Sequence, residues 1–164
     1  EGLVMATRSG SVDPGMLLWL LRHGGHALDE VEEALERRSG LAGLSGTSGD
    51  LRDVLARRDA GDAAATLAVE VYVHRLAREV AAMTAATGGL DALVLTGGVG
   101  ENAPDVRAAL AARLGYLGVA VDAGLNASAR PDVDVAPADA PVRMLVVAAR
   151  EDLEVARQTR AVLR

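Results

Sequence analysis

Three glycines within four residues, Gly97, Gly98 and Gly100, with Val99 between them and Glu101 and Asn102 after them, are the clearest candidates for chemistry in this chain. They follow the short apolar run 92–96 and precede the helix-forming stretch 103–114, so they read as the turn between a buried parallel strand and a helix. At such a junction free backbone N–H groups and the positive end of a helix dipole face a crevice, which suits a phosphate-bearing ligand. A tight turn without a ligand needs fewer glycines. Glu151 occupies a second junction, where the apolar run 142–148 gives way to the helical pattern 151–163. A carboxylate there is either the partner of the helix dipole or a ligand for a hard cation, and position alone leaves both open. Asp50, Leu51 and Arg52 open a short helix at 51–58; Asp50 is its cap, or Asp50 and Arg52 contact a ligand. Arg8, in a polar loop with Thr7, Ser9 and Gly10, is by itself a solvated charge or an ion-pair partner.

The histidines offer less. His23 and His26 are separated by Gly24 and Gly25, which break any shared helical face, so the pair reads as helix-end chemistry rather than a metal pair. His74 has no second donor four residues on and reads as a helix-packing or solvated side chain.

The elements that must position these groups follow from pattern. Asp13 and Pro14 start a strongly apolar helix that Gly24 and Gly25 end. Asp29 and Glu32 have capping-box spacing for a surface helix at 29–38, with Val31, Ala34 and Leu35 facing inward. The glycine-rich segment 39–53 reads as an ordered loop with Leu41 and Leu44 placed to pack. The longest helix is expected over 62–87, its core stripe running through Ala65, Val69, Tyr72, Val73, Leu76, Val80 and Met83. Asn102 is expected to cap the helix 103–114. A short strand is expected at 117–121, a surface excursion at 122–141 with a brief edge strand near Val133 and Val135, and a second buried strand at 142–148. The closing helix should face inward with Leu153, Ala156 and Leu163.

Half of the 164 residues are apolar but only three are aromatic, so one domain with an aliphatic, alanine-rich core is expected. All 17 basic residues are arginine and the net charge is −6, without a basic stripe, which argues against a nucleic-acid partner. With no cysteine there is neither a disulfide framework nor a thiolate metal site. The longest apolar run, 16–21, is too short for a bilayer, and no signal peptide is read, so a soluble cytoplasmic protein is expected. The first residue is not Met, and the chain reads as part of a longer protein.

Locally, Gly98-Val-Gly100-Glu-Asn-Ala103 also fits the dinucleotide fingerprint, with Asp122 at the spacing expected for an acid on a ribose. Against this Rossmann-type reading stands placement, because some ninety residues precede a motif that normally opens its domain. Read together, four separated segments account for the whole chain: MATRSGSVDP at 5–14, GLSGTSGDLRD at 43–53, DALVLTGGVGEN at 91–102, and VRMLVV at 142–147 followed by Glu151. In that order they resemble the C-terminal lobe of the acetate kinase (acetokinase) family. The resemblance implies an actin-like, sugar-kinase-type (ribonuclease H-like) α/β lobe, helix-rich with a short, partly parallel sheet, occupying 1–164 as the nucleotide-binding half of a two-lobe enzyme. It implies reversible phosphoryl transfer between ATP and acetate, giving ADP and acetyl phosphate, with Mg2+ or Mn2+, in a homodimer. By the same resemblance Arg8 is an active-site residue, Asp50, Leu51, Arg52 and Gly97 to Glu101 bind nucleotide, and Glu151 is metal-linked. The family usually has Thr-Asn where this chain has Ala149 and Arg150, and the chain lacks the first lobe with the remaining catalytic groups. The 164 residues alone are therefore expected to be inactive. Propionate or a related short-chain carboxylate as substrate, and a non-catalytic dimerising fragment, are the other readings.

Overall fold

The computed structural model describes residues 2–163 and divides into two compact units that meet in sequence between Gly88 and Gly89. The first is helical. Asp13 caps α1 (Pro14–His23) as expected, its carboxylate accepting from the Met16 N–H at 2.8 Å. No residue of α1 is buried, and Met16, Leu18, Trp19 and Leu21 are exposed. Helix α2 (Leu28–Arg37) starts earlier than its acids suggest: Ala27 is the cap, and Glu30, not Glu32, reaches back to accept from the Ala27 N–H at 2.9 Å. Alanine carries no side-chain oxygen, so this boundary leaves no capping residue to read.

Part of the segment expected as loop is helical. In α3 (Gly40–Ser45) Leu41 and Ser45 are buried, and the N–H groups of Leu41 and Ala42 donate to the carbonyls of Met5 and Ala6, both at 2.9 Å. Partners distant in sequence thus support a turn whose glycines alone would disfavour it. Helix α4 (Leu51–Asp59) follows its Asp50 cap. Asp62 caps α5 (Ala63–Thr87), accepting from Ala64 and Ala65 N–H groups, and Gly88 ends it at φ 74°. Helices α3 and α4 pack on α5, burying Ala65, Ala68, Val69, Val73 and Ala77 around Val54 and Leu41. The stripe stops there: Met83, expected in the core, is 58% exposed.

The second unit is built on a three-stranded sheet in the order β1 (Ala92–Leu95), β3 (Arg143–Val146), β2 (Val133–Asp134). The β1–β3 pair is parallel with Leu93 opposite Met144, and β2–β3 is antiparallel with Val133 opposite Val146. Against the expectation of a fully buried first strand, only Leu93 of β1 is buried. After β1 come α6 (Gly97–Asn102) and α7 (Pro104–Leu114). The expected strand at 117–121 reduces to one parallel bridge between Val119 and Val142, because a 3-10 turn (Gly115–Leu117) and left-handed Gly118 occupy its start. The excursion before β3 contains α8 (Ala123–Ala127) and carries Val135 and Ala136 into the core. Leu110, Leu114, Val135, Met144 and Val146 form the centre of this unit. Helix α9 (Glu151–Val162) buries no residue; Leu153 and Leu163, expected to face inward, are exposed.

Candidate active site

In the first unit the backbone holds the Arg8 loop and the Asp50 cap together. Ser39, Leu41 and Ala42 donate their N–H groups to the carbonyls of Thr7, Met5 and Ala6, which lays the Arg8 loop along the start of α3. Gly49, at φ +84°, sits so close that a Cβ there would meet the Ala6 carbonyl oxygen at 2.3 Å. Only glycine satisfies both constraints. Gly49→Ala is expected to destabilise a full-length protein by at least about 2 kcal/mol through backbone strain and overlap. Chemical denaturation measures it, and an unchanged midpoint would mean that the two loops are not joined here.

The Arg8 guanidinium grips Glu36 with two nitrogens of one edge, Nε to Oε2 at 2.6 Å and Nη2 to Oε1 at 2.8 Å, and this partner raises its pKa further. Asp50 is the helix cap: its Oδ1 accepts from the Arg52 N–H at 2.9 Å and also from Arg52 Nε at 3.0 Å. The Arg52 side chain first, and the Arg52 backbone N–H next, hold the Asp50 carboxyl down to about 2. Its charge therefore persists through mildly acidic solution.

In the second unit the glycine segment is itself a helical turn, α6, and Asn102 does not cap the following helix. Ala103 does, while Asn102 Nδ2 donates back to the Gly98 carbonyl at 2.9 Å. The three glycines have different reasons. Gly97 holds φ +73°, and a Cβ on Gly100 would lie 3.0 Å from the carbonyl carbon of Leu95, whereas a Cβ on Gly98 would meet nothing within 4 Å. Glu101 closes the turn: its Oε1 accepts from the Gly97 N–H at 2.9 Å and from the Ala149 N–H at 2.8 Å. One carboxylate thus ties the glycine turn to the approach to Glu151. Ala149 takes part through its backbone N–H, so this contact asks for no particular side chain at 149. Arg150 pairs with Asp132, Nη2 to Oδ2 at 2.5 Å, and holds the Asp132 carboxyl below its usual range. Glu151 opens α9 with an exposed side chain.

The structure thus brings Arg8 and Asp50–Arg52 together within one unit, and Gly97–Glu101 and the approach to Glu151 within the other. Asp122, the acid of the dinucleotide reading, caps α8 by accepting from the Leu125 N–H at 2.8 Å. The residue that sequence reasoning missed is Arg107, 2% exposed, which binds the carbonyls of Gly100 and Glu101, both at 2.9 Å. Burial lowers its pKa.

The model of the acetokinase family matches residues 1–157. The chain belongs to the acetokinase family. Acetate kinase of Leifsonia xyli is 52% identical over 159 residues, covering 96% of this chain and 40% of that relative. Acetate kinase of Gloeobacter violaceus is 48% identical over 158 residues, 96% of this chain and 39% of the relative. Among solved structures, Porphyromonas gingivalis acetate kinase superposes with a TM-score of 0.91 at 36% identity, over 100% of this chain and 41% of that one. A propionate kinase from Francisella tularensis gives 0.88 at 35% identity, over 95% and 40%. This acetokinase-family chain therefore spans about two fifths of the length of the relatives it matches. Its fold is the helix-rich, actin-like α/β lobe with a small mixed sheet.

Proposed function

We propose that this chain is the C-terminal, nucleotide-binding lobe of a cytoplasmic carboxylate kinase that transfers the γ-phosphoryl group of ATP to acetate. In that reaction an acetate oxygen bonds to the γ-phosphorus as the bond to the β–γ bridging oxygen breaks, and ADP leaves. The observation that carries the reading is the turn Gly97–Glu101, laced by Glu101 to Ala149 and open at Gly98, in a chain of this family. The turn and the Asp50–Arg52 cap bind the nucleotide, and Arg8 supplies fixed positive charge toward the moving phosphoryl group. Such transfers depend mainly on positioning and charge stabilisation, which suits a planar, permanently charged guanidinium.

Glu151 fits Mg2+ or Mn2+ in one mode. Among the described residues no three His, Asp or Glu side chains form a ready-made cage, and a lone exposed carboxylate matches a cation held mostly by nucleotide phosphates and water. Bound there, the cation would offset phosphate charge. Acetate is favoured over propionate by the relatives of highest identity given above, although one structural neighbour is a propionate kinase. Among the described residues no helix is long and apolar enough to cross a membrane. The exposed apolar residues of α1 support a homodimer.

Acetyl phosphate formation tests the proposal. A full-length protein carrying this chain should form it from acetate and ATP, and the 164-residue chain alone should not, because half a site cannot orient both substrates. Failure of the full-length protein with acetate sinks the reading, and turnover by the short chain alone would show that the first lobe is dispensable.

A further inference from the structure

Arg107 lies on α7, yet its side chain works on other elements. Its Nη1 donates to the carbonyls of Gly100 and Glu101 at 2.9 Å, its Nε to Asn126 Oδ1 at 2.6 Å, and its Nη2 to the Asn126 carbonyl at 2.8 Å. Asn126 in turn donates from Nδ2 to the Pro104 carbonyl at 2.9 Å. A buried guanidinium is costly unless its donors are used, and an apolar side chain of similar volume often serves packing as well or better. What an apolar side chain cannot do is satisfy the last carbonyls of α6, which have no partner within their own short helix, and place a cation at that helix end.

The turn is thereby fixed at both ends. Glu101 Oε1 receives the first N–H, from Gly97, and Arg107 grips the carbonyls of Gly100 and Glu101. Gly98 faces open space between them. We infer that Arg107 is a positioning residue for the nucleotide-binding turn, setting the orientation of Gly97–Glu101 through two carbonyls without touching the nucleotide. The inference rests on the reading of that turn as nucleotide-binding.

Lysine keeps the charge but lacks the fork that serves Asn126 and α6 together. In the full-length protein, Arg107→Lys is expected to raise KM for ATP about tenfold or more while KM for acetate stays within about threefold. Amide exchange should quicken at 97–103 while β3 remains protected. Parallel changes in both KM values with a lowered Tm, or an unchanged KM for ATP, would overturn the positioning role. Should Arg107→Lys fail to fold, Asn126→Ala is read in the same way, with about a threefold rise for ATP alone; no such rise also overturns it. Gly98→Val separates the two levels. If that variant binds ATP normally, the nucleotide reading of the turn is wrong and the inference falls with it. If it loses ATP while Arg107→Lys and Asn126→Ala do not weaken ATP use, only the role of Arg107 is wrong.

Discussion

In the full-length protein, Arg8→Ala is expected to lower kcat by about a hundredfold or more, leaving ATP affinity and folding stability little changed. The two halves of that expectation have separate physical origins. The pair with Glu36 lies at the surface, with side chains 50% and 46% exposed, and solvent-screened pairs of this kind contribute little to stability. Glu36 occupies the Nε and Nη2 side of the guanidinium, which leaves the Nη1 side of the same plane for a phosphoryl oxygen. A cation held in that orientation stabilises charge redistributed during transfer, and comparable arginines contribute about 10³–10⁵ in rate. Arg8→Lys should restore only part of the loss, since a point charge cannot hold Glu36 along one edge and offer a second side of the same plane to phosphate. Steady-state kinetics on both variants decides the matter. Near-normal kcat in Arg8→Ala would reduce Arg8 to a surface partner of Glu36.

Gly98→Val is expected to abolish nucleotide binding while the protein folds normally. Gly97 is required by its left-handed backbone and Gly100 by its approach to Leu95, but nothing among the described residues requires glycine at 98. A valine there projects into open space, so a loss of binding in calorimetry would come from collision with the ligand and not from damage to the turn. Asp122→Ala is the matching control. Removing the α8 cap should cost about 1 kcal/mol of stability and leave ATP binding intact. Binding of NAD in preference to ATP, lost in Asp122→Ala, would instead favour the dinucleotide reading.

What could be read from the sequence was governed by local signals. Asp13, Asp50 and Asp62 announce three helix starts because their carboxylates satisfy N–H groups two or three residues on. Ala27 and Ala103 announce nothing, since their caps involve no side-chain oxygen of their own. Gly40 and Gly97 open helices that glycine propensity argues against, and α3 gains support from carbonyls more than thirty residues away in sequence. The core stripe of α5 is legible at Ala65, Val69 and Val73; periodicity also selects Met83, but burial requires a covering partner, which no pattern within the helix supplies. Arg107 is the sharpest case. An arginine in an alanine-rich helix looks like a solvated charge, and the burial of Arg107 follows only from where α6 and α8 bring their carbonyls.

The exposed face of α1 also carries an optical consequence. Trp19 is the single tryptophan of the chain, it is 58% exposed, and its ring lies 6.0 Å from that of His23. Indole emission from this chain therefore originates at one known place, on the helix that presents Met16, Leu18 and Leu21 to its surroundings. Its wavelength reads the polarity at that place alone. Dilution followed by fluorescence thus becomes a label-free gauge of whether α1 is wet or covered.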